Sequence, residues 1–111
     1  MDARIELTPQ EFQARLAAGE RCTVIDVREP GEYAIARLAE SELIPMQSIP
    51  ASLQRLEALA DEQPLAVLCH HGVRSLNVVM WLRQQGIENC FSITGGIDRW
   101  SSEIDPSIPR Y

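Results

Sequence analysis

The residues best suited to chemistry lie in one run, Cys69-His70-His71-Gly72-Val73-Arg74-Ser75. Cys69 closes an apolar, strand-like segment, a short loop follows, and Arg74 falls in the first turn of a helical pattern. In open α/β folds, ligands collect at the carboxyl ends of strands, where loops lead into helix N-termini. A tight loop at that place aims backbone N–H groups and the positive helix end at the sulfur, and each effect favours the nucleophilic thiolate over the thiol. Gly72 permits the backbone conformations that such a cradle needs, and Arg74 supplies a guanidinium able to face a bound anion or an anionic sulfur. Ser75 is read as a helix cap or a loop hydrogen-bonding group. The competing reading of Cys69 is a small core residue, and the loop chemistry around it argues for the nucleophile.

Several elements must hold that loop in place. Thr8-Pro9-Gln10-Glu11 combines an N-cap hydroxyl, a proline at the first helical position and a glutamate three residues after the cap, which predicts a helix over residues 9–18 stopped by Gly19. Cys22-Thr23-Val24-Ile25-Asp26-Val27 reads as a strand buried on both faces. Glu29-Pro30-Gly31 is a turn signal, followed by a short helix over residues 32–36 and a brief edge strand over residues 43–45. Leu53, Leu56, Leu59 and Ala60 recur at helical spacing from Ser52 onward. Residues 65–69 form the expected central strand and residues 74–85 the expected long helix, with Gly86 as its stop. Residues 90–93 give one more strand, Gly95-Gly96 a sharp turn, and residues 97–100 a last short helix. The tail, Asp105-Pro106-Ser107-Ile108-Pro109, is expected as extended chain over the body. Alternating strands and helices predict a three-layer α/β domain with a mostly parallel sheet, and the 111 residues suit one domain.

Composition excludes other chemistries. The chain is 45% hydrophobic and 23% charged, with a formal net charge of -6 and a pI near 4.8. Such a surface opposes phosphate backbones and anionic lipid, so neither nucleic acid nor membrane is an expected partner. No run of about 18 apolar residues marks a membrane span. All 10 basic residues are Arg; without Lys there is no Schiff-base chemistry, pyridoxal-phosphate anchor or Walker-type loop. No cofactor is expected. The opening Met1-Asp2-Ala3-Arg4 lacks the basic-then-apolar pattern of a secretory signal, which makes the cytoplasm the expected compartment.

The remaining candidates are weighed individually. Three cysteines, Cys22, Cys69 and Cys90, are too few and too unevenly spaced for a disulfide framework, and Cys22 and Cys90 read as core. His70 and His71 beside Cys69 invite a metal reading, but adjacent side chains usually diverge and no second ligand cluster such as CxxC or HxxxH exists, so no metal site is expected. They read instead as loop residues facing solvent, with a secondary part in steering an anionic ligand. Trp81 and Trp100 read as packing residues. Asp26 and Arg28, a charged pair at a strand's carboxyl end, read either as orienting an active-site loop or as a simple ion pair, and Glu32 is expected as an ion-pair partner rather than a general base.

CHHGVRS, with the upstream DVREPGEY and the downstream GGIDRW, resembles the active-site loop and flanking motifs of the rhodanese sulfurtransferases, in the right order and over residues 22–111. That resemblance implies a five-stranded α/β domain in which Cys69 carries a persulfide held by backbone N–H groups of the loop, His70 to Arg74. It implies a double displacement, in which Cys69 takes sulfane sulfur from a donor such as thiosulfate and an acceptor thiol or cyanide removes it. The family commonly continues its upstream motif with Gly-His-Ile-Pro-Gly-Ala, where this chain has Ala36-Arg37-Leu38-Ala39-Glu40-Ser41. Its single-domain members known for thiosulfate use often carry basic residues early in the loop, where His70 and His71 stand here. The resemblance also implies a supporting role beside the loop for Asp26 and Arg28. The ending DPSIPRY is similar to rhodanese modules of enzymes that activate ubiquitin-like sulfur carriers. A sulfur relay to a protein partner, in a cofactor or tRNA thiolation pathway, is therefore the first alternative. A non-catalytic domain that only docks a partner is the second, and Cys69, Gly72 and Arg74 argue against it.

Loop length separates sulfur transfer from phosphate-ester chemistry. Four residues lie between Cys69 and Arg74, one fewer than in tyrosine-phosphatase-type loops. The smaller ring of N–H donors surrounds a single sulfur but not a tetrahedral oxyanion, whose unmatched oxygens would each cost roughly 1–3 kcal/mol. Hydrolysis of aryl phosphates should be negligible; robust turnover that disappears in Cys69→Ser would refute the loop-size argument.

Overall fold

The computed structural model describes residues 4–111. Five strands form one parallel sheet: β1 (Glu6–Leu7), β2 (Thr23–Asp26), β3 (Glu42–Leu43), β4 (Leu65–Leu68) and β5 (Cys90–Ile93), in the spatial order β1-β5-β4-β2-β3. Five helices connect them: α1 (Pro9–Ala17), α2 (Pro30–Ile35), α3 (Leu53–Glu62), α4 (Val73–Gln84) and α5 (Gly96–Glu103). Two 3-10 turns, Met46–Ser48 and Pro50–Ser52, lead into α3.

The alternation of β4 divides the core. Leu65, Val67 and Cys69 face one side with Leu56 and Ala60 of α3 and Val78, Val79 and Leu82 of α4. Ala66 and Leu68 face the other, with Phe12 of α1 and Ile97 and Trp100 of α5. All four β4 residues are buried, as a strand covered by helices on both faces requires. The three-layer α/β architecture is thus the expected one. Cys69 follows directly on the central strand, on the α4 side.

Local signals act as anticipated where they are strong. Thr8 Oγ1 accepts from the Glu11 N–H at 3.1 Å while Glu11 accepts from the Thr8 N–H at 2.9 Å, which closes the capping box of α1.

Four features differ from the sequence reading. β1 was not anticipated, because its 2 residues carry no periodicity; it exists only through its register with β5, Glu6 opposite Ser92 and Leu7 opposite Ile93. Helix α2 begins at Pro30, inside the anticipated turn. Helix α5 runs on past Trp100 to Glu103, where Arg99 and Glu103 pair at 2.9 Å across one turn. The tail is not simply extended: Ile108 N–H returns to Asp105 O at 3.1 Å, and Ser101 Oγ holds Ile108 O at 2.6 Å.

The segment over residues 36–41 turns without glycine. Ala36 and Leu38 are buried, Ser41 Oγ donates to Leu38 O at 2.7 Å and Tyr33 OH to Ser41 O at 2.8 Å. Glu40 takes φ 62°, the one non-glycine residue at positive φ among the described residues. It stands where the second Gly of the common family motif would fall. A left-handed non-glycine residue costs about 1–2 kcal/mol and glycine's added chain freedom returns part of that. Glu40→Gly should therefore stabilise the fold by about 0.5–1 kcal/mol, seen as a rise in Tm that Glu40→Ala does not reproduce.

Candidate active site

Three elements converge on Cys69. β4 delivers it, the turn through His70, His71 and Gly72 reverses the chain, and α4 starts at Val73. The Cys69 residue is only 1% exposed. Its Sγ accepts from the Gly72 N–H at 3.0 Å and the Ser75 N–H at 3.3 Å, and its thiol donates to Ser75 Oγ at 3.3 Å. Ser75 Oγ also donates to Gly72 O at 3.2 Å and lies 2.7 Å from Ser92 Oγ. Two N–H groups at the start of a helix therefore point at one sulfur, an arrangement that favours negative charge on it.

The Gly95-Gly96 turn sets the loop from behind. Ile97 N–H donates to Cys69 O at 2.9 Å and Asp98 N–H to His70 O at 3.1 Å. A Cβ on Gly96 would lie 2.4 Å from both of those carbonyl oxygens, so no other residue fits without displacing the loop. Gly72, at φ 98°, would place a Cβ 2.9 Å from Gly95 N. The two glycine-bearing segments are mutually fitted.

Asp26 and Arg28 are both fully buried. Arg28 Nε donates to Asp26 Oδ1 at 2.9 Å and Nη2 to Asp26 Oδ2 at 2.7 Å. Nη2 also reaches Ala36 O at 2.6 Å, while Nη1 reaches Glu32 O at 3.3 Å and Tyr111 OH at 2.9 Å. Burial opposes the charge on Arg28, but the bonds to Asp26 and Tyr111 outweigh it and raise its pKa. This network ties the end of β2 to Glu32, Ala36 and Tyr111.

The Arg74 guanidinium forms a two-pronged pair with Glu32, Nη1 to Oε1 at 2.7 Å and Nη2 to Oε2 at 3.0 Å, and lies near enough to Cys69 to interact with it electrostatically. Tyr111 OH donates to the same Glu32 Oε2 at 2.7 Å. Planar carboxylate recognition competes better for an Arg fork than a lone sulfur does. Arg74 holds Glu32 well below the ordinary carboxylate range, at about 2, and Glu32 in turn raises Arg74. The ion-pair role expected for Glu32 is met.

His70 and His71 also depart from expectation. Their rings do not diverge but lie 3.8 Å apart between centroids, because the loop curls back at this point. The other face of His70 stacks on Tyr111 at 3.9 Å and 10°. Burial lowers the His70 pKa, with His71 adding to the effect. Val73 is 69% exposed and touches no site group by hydrogen bond. Cys22 is partly buried and Cys90 buried, both apart from this loop, and burial raises both thiol pKa values.

Ser92 and Tyr111 were not anticipated at the site. Ser92 is a fully buried hydroxyl within the run Cys90-Phe91-Ser92-Ile93, and a lone polar residue in an otherwise apolar strand was the available signal. Tyr111 had no such signal, since its partners lie on three distant segments.

A buried thiol at a strand end, addressed by backbone N–H groups of a loop entering a helix, lies at the centre of the candidate site of this α/β domain. The chain belongs to the rhodanese-like domain family, whose sequence pattern matches residues 8–103. It is 35% identical over 96 residues to the thiosulfate sulfurtransferase GlpE of Haemophilus influenzae, covering 86% of each chain. It is 33% identical over 109 residues to the adenylyltransferase and sulfurtransferase MOCS3-2 of Zea mays, covering 95% of this chain and 23% of that protein. The crystal structure of a rhodanese-related protein from Thermoplasma volcanium is 31% identical, with TM-score 0.78, covering 96% of this chain and 98% of the other. Against its plant relatives the chain spans a minor part of their length, 31% in one and 23% in another.

The Glu32 carboxyl, lowered from an ordinary 4.5 to about 2, contributes stability that is present above about pH 4.5 and lost as pH falls toward 2. Glu32→Gln removes that titration. Acid unfolding followed by circular dichroism should therefore show a shallower loss of Tm below pH 4.5 in Glu32→Gln than in the wild type. Parallel curves would show that the pair with Arg74 adds nothing to folding.

Proposed function

We propose that the chain is a sulfurtransferase that carries sulfur as a persulfide on Cys69. The carrying observation is the pair of N–H groups, from Gly72 and Ser75, directed at Cys69 Sγ. In the first step the Cys69 thiolate attacks the sulfane sulfur of a donor such as thiosulfate; an S–S bond forms to Cys69 as the donor's S–S bond breaks, and sulfite leaves with the electron pair. In the second step an acceptor thiolate or cyanide attacks the outer sulfur, and the Cys69 thiolate is the leaving group. Both steps exchange one bond to sulfur for another and need no external oxidant. The sulfur-bound charge is met by fixed N–H dipoles, so little reorganisation is required as it develops. His70, His71, Val73 and Arg74 shape the rim of the loop, Ser75 bonds the sulfur directly, and Asp26 and Arg28 hold the neighbouring strand end.

The relatives support this reading at two levels. The Haemophilus protein is named for thiosulfate, and the maize protein for sulfurtransfer within a longer adenylyltransferase. A relay to a protein carrier is the second reading, favoured by the Arg74–Glu32 pair: with its charge already answered, Arg74 offers less to a small dianion such as thiosulfate. No helix among the described residues is long and apolar enough to cross a membrane. The cytoplasm, whose reducing poise keeps thiols free, suits this chemistry.

Intact-mass measurement after incubation with thiosulfate, and separately with a persulfide-charged cysteine desulfurase, should show one added sulfur located on Cys69. The gain should vanish in Cys69→Ser and persist in Cys22→Ser and Cys90→Ser. Loading from the desulfurase alone would select the relay. Failure of both donors, or full loading of Cys69→Ser, would overturn the assignment.

A further inference from the structure

We propose that His70, His71 and Asp98 form a site for a borderline divalent transition ion of the zinc class, at the rim of the Cys69 loop. One ligand atom from each of the three residues lies within 4.8 Å of the others. Zinc bonds of about 2.0–2.2 Å to N and O in a tetrahedron place ligand atoms about 3.4 Å apart. Closing that gap is within the reach of the His71 side chain, which is 62% exposed.

His70 provides the second, independent observation. Its Nε2 is buried and has no hydrogen-bond partner. A buried nitrogen without a partner otherwise costs free energy for no return. Stacking on Tyr111 at 3.9 Å holds the ring in place.

Asp98 is similarly oriented from outside. Arg110 Nε donates to Oδ1 at 3.0 Å and Nη2 to Oδ2 at 3.2 Å, and His71 Nε2 already lies 4.0 Å from Oδ2. A carboxylate has acceptor capacity left after one Arg fork, so Asp98 can keep Arg110 and still offer an oxygen to the ion. Two imidazoles and one carboxylate suit zinc, cobalt, nickel or copper and disfavour magnesium or calcium, which take oxygen ligands. Three protein ligands leave a coordination position for solvent or for a small anion. The ion would sit at the rim of the Cys69 loop, and its binding does not depend on sulfur transfer.

Calorimetric titration of the whole chain with zinc chloride tests this directly. One equivalent should bind to the wild type and equally to Cys69→Ser, which removes the neighbouring thiolate as a ligand. His71→Ala and Asp98→Asn, both substitutions at accessible side chains, should each weaken binding at least tenfold, and Arg110→Ala, which removes only the orienting partner, should not abolish it. Cobalt(II) absorption should show nitrogen and oxygen ligation without a thiolate charge-transfer band. Absence of saturable binding at millimolar zinc, full binding in His71→Ala or Asp98→Asn, or loss of binding in Cys69→Ser with a thiolate band in the wild type would each overturn the site.

Discussion

The site depends on how closely the backbone of α5 approaches the loop after β4. At Gly96 a single Cβ would sit 2.4 Å from the carbonyl oxygens of Cys69 and His70. With that atom absent, the first N–H groups of α5 take those two carbonyls. Further along the same turn, the N–H groups of Gly72 and Ser75 reach the sulfur. Two helix N-termini thus share one loop: α5 satisfies its acceptors, and α4 supplies donors to Cys69. Each terminus has orphan N–H groups to place, and the loop gives both sets a use.

The opposite wall rests on Arg28. All five N–H donors of a guanidinium find partners here, in Asp26, Ala36, Glu32 and Tyr111. That completeness matters, because a fully buried ion pair whose remaining donors went unsatisfied would destabilise the fold. Through Glu32 and Tyr111 the same network extends to Arg74 on α4. The start of α2, the end of β2, the first turn of α4 and the tail are thereby joined around the loop. Removing Arg28 would leave Asp26 buried without its counter-charge, so its contribution is to position and fold rather than to touch the reacting atoms.

Sequence revealed what is local and hid what is assembled. Cys69, Gly72 and the start of α4 are contiguous, and an apolar strand followed by a glycine and a helical pattern is readable at that range. The strong capping residues placed α1, and the apolar run over residues 65–69 placed the central strand. Glu32 with Arg74, 42 residues apart, and Tyr111 with Arg28, 83 residues apart, meet only because the parallel sheet brings strand ends and tail to one edge. For the same reason Arg74 was read as able to face a bound anion or an anionic sulfur: spacing showed that it could reach, and nothing local showed that Glu32 would pair with it. Strand β1 is invisible in isolation, since its two residues gain their structure from β5 alone.

The charges around Cys69 alternate and cancel. Asp26, Arg28, Glu32 and Arg74 are linked in that order of sign through hydrogen bonds, and formally they sum to zero. An anionic sulfur is met by the N–H groups of Gly72 and Ser75, while Arg74, paired with Glu32, adds a longer-range attraction. Fixed peptide dipoles do not move as charge develops, and a buried sulfur is less screened by salt than an exposed ion pair. They also act only at short range, over the first turn of a helix. A donor gains from them after it has arrived, not while it approaches a chain whose net charge is -6. Under the proposed sulfur transfer, that short range suits the second reading, in which a partner making its own contacts with the rim delivers the sulfur.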